Sequence, residues 1–258
     1  MPESSDATIR AALVTGGGQR IGRAIALALG RRGYAVAVHA RRSRAAAEGV
    51  VAEIAAIGGR AAVVEADLAG HDAVLGLVPA AAAAVGPLTL LVNNVAEFEP
   101  DEIGRLDRAR IDRHFAVNLR APIFLAEAFA AQAPARADAA IVNLVDQRVF
   151  KPTPRFFSYG LTKSALHVAT TTLAQALAPR VRVNAVAPGP TLPSPRQDPE
   201  AFARQVRALP LERGPTPQDI ADAVLYLAGA GGVTGVTIAV DGGQHLAWRT
   251  ADAADVEE

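Results

Sequence analysis

The alternation of short apolar runs with helical patterns most restricts how this chain can fold. Runs of this length separated by helical segments are typical of parallel strands joined by right-handed crossovers. The predicted strands are Ala12–Thr15, Ala35–His39, Ala61–Glu65, Leu88–Asn93, Ala139–Val145, Arg182–Ala187 and Thr237–Val240. The sequence therefore predicts an α/β fold, a doubly wound parallel sheet of about seven strands with helices on both faces.

Helical patterns fill the intervals between these runs. The clearest are Ile21–Arg32, Arg44–Ile57, Arg108–Gln132, Tyr159–Ala178 and Pro217–Leu227. Many prolines between residues 189 and 216 predict a loop with a short helix near Pro199–Ala208. With half of its 258 residues hydrophobic, the chain fits one domain, which we place at 1–249. The acidic, alanine-rich segment 250–258 is expected to be a disordered tail.

A glycine-rich turn joins the first predicted strand to the first helix, running from Thr15 to Gly22. Glycines let the backbone approach a pyrophosphate closely, and a helix N-terminus supplies free N–H groups with a partial positive charge. A strand, glycine turn and helix in this order are typical of dinucleotide binding. The spacing is not G-x-G-x-x-G, so a glycine turn without a ligand is the alternative.

Tyr159 and Lys163 stand four residues apart, and Asp146 precedes the tyrosine by thirteen residues at the end of an apolar run. If Tyr159 opens a helix, the ammonium group of Lys163 lies beside the phenol and stabilises its ionised form. A phenol with a lowered pKa can donate a proton near neutral pH. The alternative is an ordinary pair on a helix surface.

Glycine, proline and polar residues follow several of the predicted strands, namely Gly16, Asp67, Asn94, Asp146 and Pro188. Ligands of a doubly wound sheet bind beyond the carboxyl ends of its strands. We therefore expect these residues to converge on one edge of the sheet.

Taken together, these motifs resemble those of the short-chain dehydrogenase/reductases from about Ala11 to His245. The matching motifs, in order, are Thr15-Gly16 to Gly22, Asn93-Asn94, Asn118, Tyr159 with Lys163, and Pro188-Gly189. The resemblance implies a Rossmann-like fold and hydride transfer with a nicotinamide cofactor. It also implies that the protein is a homo-oligomer, commonly a tetramer built through the helices at 108–132 and 159–178.

Within that family the chain most resembles pteridine reductases, including the bacterial dihydromonapterin reductase group. Arg20 replaces a glycine of the first turn, Asp146 replaces the usual catalytic serine, and Phe98 matches the phenylalanine that stacks on a pterin. The chain departs from the subgroup at Ala96, where pteridine reductases often carry a serine. The alternative for Arg20 is a cap for carbonyl groups. The alternative for Phe98 is an aromatic side chain of the core or of a lid.

The resemblance also implies roles for the site residues. Tyr159 donates the proton, Lys163 holds the nicotinamide ribose, and Asp146 orients Tyr159 and supplies its proton, which requires a raised pKa or a proton from solvent. Asn118 holds a water of the proton relay. The implied substrate contacts are Arg20, Phe98, Asp146 and Tyr159. As an alternative to its catalytic role, Asp146 accepts hydrogen bonds from backbone N–H groups. The alternative for Asn118 is a plain mid-helix residue.

The second predicted strand ends at His39 and is followed by Arg41, Arg42 and Ser43. This segment lacks the acid that accepts a bond from the ribose 2′-hydroxyl of NAD. Arginine and serine side chains suit a 2′-phosphate, which favours NADPH. A solvated surface pair at Arg41 and Arg42 is the alternative. The resemblance adds further cofactor contacts: Gly16, Arg20, Ile21, Gly22, Asn94, Pro188, Gly189, and Asp67 with Leu68 at the adenine ring. A local turn cap is the alternative for Asp67.

Composition bears on the remaining classes of function. Basic and acidic residues number 26 each, so no overall charge attracts nucleic acid or an anionic membrane. Cysteine is absent and the five histidines lack metal-ligand spacing, so we expect no metal. Met1–Ile9 lacks the apolar core of a signal peptide, and a cytoplasmic location is expected. The predicted function is reduction of dihydropterin to tetrahydropterin, with a general carbonyl reductase or a silent NADPH-binding sensor as alternatives.

Overall fold

Seven strands form one parallel sheet in the residues that this computed structural model describes, 10–135, 138–194 and 196–248. The strands are β1 (Ala11–Val14), β2 (Ala35–Ala40), β3 (Ala61–Glu65), β4 (Leu90–Asn93), β5 (Ala139–Leu144), β6 (Val181–Pro188) and β7 (Thr237–Val240). Their order across the sheet is β3-β2-β1-β4-β5-β6-β7, and every neighbouring pair is parallel. The predicted doubly wound sheet is confirmed, with strand ends shifted by one or two residues.

The strand order reverses beside β1, where Val14 is in register with Val38 of β2 on one side and Val92 of β4 on the other. The connection from β1 to β2 packs its helix on one face of the sheet, whereas the connection from β3 to β4 packs its helix on the other face. A crevice therefore opens at the carboxyl ends of β1 and β4, which is where doubly wound sheets bind ligands.

Eight α-helices cover the two faces in the described ranges. They are α1 (Arg20–Arg31), α2 (Arg44–Ala56), α3 (His71–Val85), α4 (Arg108–Phe115), α5 (Ala121–Gln132), α6 (Phe157–Leu177), α7 (Pro199–Arg207) and α8 (Pro217–Gly229). Ile25, Ile54 and Val224 bring α1, α2 and α8 into one apolar core, while Leu77 and Phe129 bring α3 and α5 into the other.

The single helix predicted over Arg108–Gln132 is wrong, because a π-helical turn at Ala116–Arg120 separates α4 from α5. Pro122 has no N–H group to donate to the carbonyl of Asn118, four residues earlier, so regular α-helical bonding breaks there. π-turns within α-helices are frequent at functional sites. The break places Asn118 at the widened turn.

The start of α6 is held by a buried hydrogen-bonded chain. The backbone N–H of Ser158 donates to Asp101 at 3.1 Å, and the Ser158 hydroxyl donates to the same carboxylate. His114 Nδ1 lies 2.6 Å from the Ser158 hydroxyl, and His114 Nε2 accepts from the Glu99 N–H at 3.2 Å. Burial lowers the pKa of His114, so the neutral ring keeps that acceptor. This series of hydrogen bonds connects the segment after β4 to the helix that carries Tyr159.

None of the helices in the described part of the chain combines the length and hydrophobicity needed to cross a bilayer. The predicted tail at 250–258 and the segment Met1–Ile9 lie outside the described residues.

Candidate active site

A cleft of about 930 Å³ opens at the carboxyl ends of the central strands. The predicted site residues that line it are Gly16, Arg20, Ile21, Gly22, Asn94, Phe98, Asp146, Tyr159, Lys163, Pro188 and Gly189. Those that do not line it are His39, Arg41, Arg42, Ser43, Asp67, Leu68 and Asn118. The first group converges on one edge of the sheet as expected, because parallel strands all end on the same side.

The glycine turn is packed tightly against the end of β4. Gly16 has a φ of 63°, in the left-handed region that favours glycine. A Cβ atom on Gly22 would lie only 2.1 Å from the carbonyl oxygen of Gly16. Asn94 donates its side-chain amide to the Thr15 carbonyl at 2.8 Å, while its backbone N–H donates to the Thr15 hydroxyl. Asn94 therefore fixes the conformation of the turn.

His39 lies beneath the glycine turn, and its predicted role as a cofactor contact stays a prediction. The Gly16 N–H donates to His39 Nδ1 at 3.0 Å, so Nε2 carries the proton and donates to the Ala66 carbonyl at 3.1 Å. Burial is the main reason that the pKa of His39 is lowered, which keeps the ring neutral. Both ring nitrogens are used within the protein, so His39 supports the turn.

The residues after β2 divide into two groups. Arg41 is paired with Glu97 at 2.9 Å, and Arg113 binds the same carboxylate at 2.7 Å. Arg41 is therefore committed to an acid within the chain. Arg42 is exposed and makes no hydrogen bond or ion pair to any described residue, and the Ser43 hydroxyl makes no cap bond at the start of α2. Arg42 and Ser43 are the members of this group with polar atoms available to a ligand.

Asp67 and Leu68 contribute little side-chain surface to the cleft. Asp67 accepts from the backbone N–H of Ala69 at 3.0 Å, which is the local turn cap considered as an alternative. The Leu68 side chain is buried in the apolar core under α3. The predicted adenine contact of this pair stays a prediction, and for Leu68 only its backbone is left to make it.

The phenol of Tyr159 donates to Asp146 Oδ2 at 2.9 Å. The same carboxylate accepts from the backbone N–H of Arg148 and forms an ion pair with its guanidinium at 3.0 Å. Asp146 therefore orients the phenol, and the prediction that it also supplies the proton of Tyr159 stays a prediction.

The pKa of Tyr159 is raised well above its ordinary value, by burial first and then by the charge and hydrogen bond of Asp146. This corrects the predicted lowering by Lys163. The Lys163 ammonium lies 5.8 Å from the centroid of the Tyr159 ring and donates instead to the Leu144 carbonyl at 2.6 Å. The two side chains share one helix face, but burial beside a carboxylate outweighs the distant positive charge.

Burial also lowers the pKa of Lys163 to about 8, with Asp146 acting in the opposite direction. Lys163 is 2% exposed and is one of the residues that line the cleft. A buried lysine with such a pKa changes charge within the range in which enzymes are assayed.

We expect kcat/KM for reduction to fall as the pH rises through about 8, because Lys163 loses its charge there while Tyr159 stays protonated. In Lys163→Arg this decrease of kcat/KM above about pH 8 should disappear, since arginine keeps its charge.

The stability of the fold should change with pH in the opposite direction to kcat/KM. The unfolded chain binds the extra proton between pH 8 and 10.5, so the unfolding free energy of the wild type rises over this window. Lys163→Met should lack that rise in urea titrations, and an identical rise would contradict the assignment.

An aromatic wall borders Tyr159. Phe98 stacks on Phe156 with ring centroids 4.3 Å apart, and it meets Tyr159 edge-on at 4.6 Å. The Arg148 guanidinium lies 5.6 Å from the Phe98 centroid. Phe156 precedes α6 with a φ of 56°, an uncommon conformation for a bulky residue. Sequence reasoning missed Phe156 and Arg148. Arg148 had a readable signal, since it lies two residues after Asp146.

Asn118 is fully buried, and its amide is used within the protein. Its Oδ1 accepts from the Glu97 N–H at 2.8 Å, and its Nδ2 donates to the Glu97 carbonyl at 2.9 Å. The side chain therefore clamps the segment after β4. The predicted relay water stays a prediction, and it would need the Asn118 backbone carbonyl, which Pro122 leaves without its helical donor.

Two arginines tie the segment at 189–216 across the cleft. Arg20, whose φ is 51°, donates to the Pro193 carbonyl at 3.0 Å. Arg196 pairs with Glu99 at 3.0 Å and donates to the Phe98 carbonyl at 2.6 Å. Arg20 thus caps carbonyls, as in the alternative reading, and it does so on the segment that covers the cleft. Arg196 was missed because its partners are almost a hundred residues away in the sequence.

Comparisons with known proteins agree with this geometry. A family model described as enoyl-(acyl carrier protein) reductase matches residues 17–245. A crystal structure of FolM alternative dihydrofolate reductase 1 from Brucella canis complexed with NADP is 52% identical. The match has a TM-score of 0.92 and covers 95% of this chain and 97% of that chain.

Two further relatives are more distant. A short-chain dehydrogenase/reductase from Serratia marcescens is 32% identical with a TM-score of 0.84, covering 91% of this chain and 97% of that chain. An uncharacterized oxidoreductase of Mycobacterium tuberculosis is 35% identical over 241 residues, which is 91% of each chain. With the strand order, the glycine turn and the Tyr159–Lys163 pair, these matches show that the chain belongs to the short-chain dehydrogenase/reductase family.

Proposed function

We propose that this protein is an NADPH-dependent reductase that converts a dihydropterin to a tetrahydropterin. The observation that carries the proposal is the Tyr159 phenol held at 2.9 Å by Asp146, in the same cleft as the glycine turn and Phe98. The neighbour from Brucella canis, named an alternative dihydrofolate reductase, supports a pteridine substrate. A location in the cytoplasm and a tetrameric state stay predictions.

The chain fits NADPH at two places. Gly16 and Gly22 leave backbone without a Cβ atom beside the start of α1, where a pyrophosphate would lie. Arg42 and Ser43 offer an unpaired guanidinium and hydroxyl at the start of α2, which suits a 2′-phosphate. The Brucella canis neighbour was crystallised with NADP, in agreement with this choice. NADPH, when bound, supplies the hydride.

The proposed mechanism assigns the protons to this chain. Tyr159 gives its proton to the substrate atom that gains charge as the bond is reduced. Asp146 orients the phenol and is itself held by an ion pair with Arg148. The Arg148 guanidinium, whose charge lowers the pKa of Tyr159, stabilises the phenolate that remains. The phenol must regain its proton before the next turnover, and Lys163, which lines the cleft with a pKa of about 8, is suited to that step.

A flat substrate is supported by the aromatic wall. Phe156 covers one face of Phe98, so a ring in the cleft would meet the other face or the edge of the pair. Offset or edge contacts between aromatic rings add about 1 kcal/mol to the binding free energy, beyond the contribution of the apolar area that is buried. Arg20 lines the same cleft, although its guanidinium bonds to loop carbonyls, so its predicted contact with the pterin requires that loop to move.

NADPH consumption with a dihydropterin, dihydrofolate, and a panel of ketones and quinones tests the proposal. We expect the dihydropterin to give the highest kcat/KM and methotrexate to bind the NADPH complex tightly. Turnover of ketones alone would identify a general carbonyl reductase of the same fold. NADPH binding without turnover of any compound would identify a sensor.

Arg42→Asp combined with Ser43→Ala should raise the Michaelis constant for NADPH at least about tenfold, because two donors to the 2′-phosphate are replaced by a repelling charge. The Michaelis constant for NADH should change little, since NADH lacks that phosphate. Steady-state assays with both cofactors measure the ratio. Equal changes for NADPH and NADH would contradict the assignment of the 2′-phosphate to these residues.

A further inference from the structure

The side-chain amide of Gln147 has no hydrogen-bond partner among the described residues. Gln147 is only 7% exposed, and its Oε1 atom is buried without a partner. The residue opens the 3₁₀ turn Gln147–Val149 directly after Asp146 and lines the cleft. Native proteins pair nearly all buried polar atoms, so an unpaired amide on a residue that lines the cleft is a candidate for bonding to a ligand there.

Buried amides elsewhere among the described residues are paired at one end or at both. The Oδ1 atom of Asn93 is also buried without a partner, but the Asn93 amide nitrogen donates to Asn143 Oδ1 at 2.9 Å and Asn93 does not line the cleft. Gln132, which lies far from the cleft, accepts from the Leu88 N–H at 3.0 Å and donates to the Leu88 carbonyl at 3.1 Å. Asn118 likewise uses both ends of its amide on Glu97. Gln147 therefore differs from these amides in its partners, and the difference is located at the active site.

The carboxylate that precedes Gln147 in the sequence already has its partners within the protein. The Asp146 carboxylate is already shared by Tyr159 and Arg148. The Nε atom of Arg148 is also buried without a partner, so two neighbouring residues present unpaired polar atoms at the same wall. A primary amide carries a donor and an acceptor side by side, which matches a ring edge on which an N–H or NH₂ group adjoins an acceptor.

We propose that the Gln147 amide binds the substrate and selects rings with such an edge, for which the aminopyrimidinone ring of a pterin is suited. The inference rests on the proposed function and extends it to a residue that reads the substrate. A simple ketone offers acceptors only and satisfies one half of the amide. Gln147 therefore favours pterins over ketones through binding, without acting on the proton of Tyr159.

Gln147→Met tests this inference, because methionine keeps the unbranched shape and removes both hydrogen-bonding groups. We expect the KM for the dihydropterin to rise about tenfold or more, since the substrate edge loses its partner. We expect kcat to change by less than about threefold and NADPH affinity to stay the same. The Tm should stay the same or rise, because no bond within the protein is lost.

Gln132→Met is the matched control, and it should lower the Tm while leaving the KM unchanged. Gln147→Leu, a second variant, should repeat the result of Gln147→Met. If the wild type reduces dihydropterin and both Gln147 variants have the same KM as the wild type, this inference alone is overturned. A fall in Tm like that of Gln132→Met would overturn it too, because the amide would then be structural. Failure of the wild type to bind or reduce any pterin would overturn both this inference and the proposed function.

Discussion

Tyr159→Phe should lower turnover at least about a hundredfold, because a positioned general acid typically raises the rate by about that factor. NADPH affinity should stay nearly unchanged. The variant loses only the oxygen that donates to Asp146 at 2.9 Å. Its ring keeps the edge-on contact with Phe98 at 4.6 Å, so the aromatic wall is preserved. Single-turnover assays with saturating NADPH, together with calorimetric titration of NADPH, measure the two effects separately.

A Tyr159→Phe variant that kept more than about a tenth of wild-type turnover would require another proton donor. Asp146→Asn serves as the control for orientation. This variant keeps an acceptor for the phenol but removes the negative charge that raises the pKa of Tyr159. It should retain more activity than Tyr159→Phe.

Gly22→Ala should weaken NADPH binding by at least about tenfold and destabilise the fold by about 1–3 kcal/mol, the usual cost of overpacking. The added Cβ atom would lie 2.1 Å from the Gly16 carbonyl oxygen and 2.6 Å from the Asn94 amide nitrogen. The Gly16 carbonyl belongs to the glycine turn and the Asn94 amide bonds to that turn, so the turn must move to relieve the contacts. Fluorescence titration with NADPH and thermal unfolding measure the change.

Gly49→Ala is the matched control within α2. A Cβ atom on Gly49 meets no atom within 4 Å, so this change should raise stability by about 0.5–1 kcal/mol through helix propensity alone. NADPH affinity should not change. Equal effects of the two alanine substitutions on NADPH binding would show that the close approach at Gly22 does not shape the cofactor turn.

Local sequence patterns were sufficient for the architecture. All seven predicted strands are present, because each is a short apolar run between helical segments and each is bonded on at least one side in the sheet. The helix across residues 108–132 was mispredicted, since hydrophobic periodicity continues through the break. Only the missing N–H group of Pro122 and the buried contacts of Asn118 disclose the π-turn.

The candidate site was predictable in part. The turn at Gly16, the pair of Tyr159 with Asp146, and the convergence of strand ends follow from spacing and from parallel topology. The partners that the charged side chains bind were not predictable from the sequence. Arg41 binds Glu97 and Arg20 binds the Pro193 carbonyl, across separations at which the sequence carries no signal.

The sequence by itself determined which residues stand at the edge of the sheet, because strand ends and glycine turns are local properties of the backbone. The tertiary structure decided their chemical state. The pKa of Tyr159 is raised rather than lowered because the fold buries the phenol and places it beside the carboxylate of Asp146. The pKa of Lys163 falls to about 8 because the fold removes it from water. Burial and the distance between charges depend on how distant segments pack, and spacing along one helix does not contain that information.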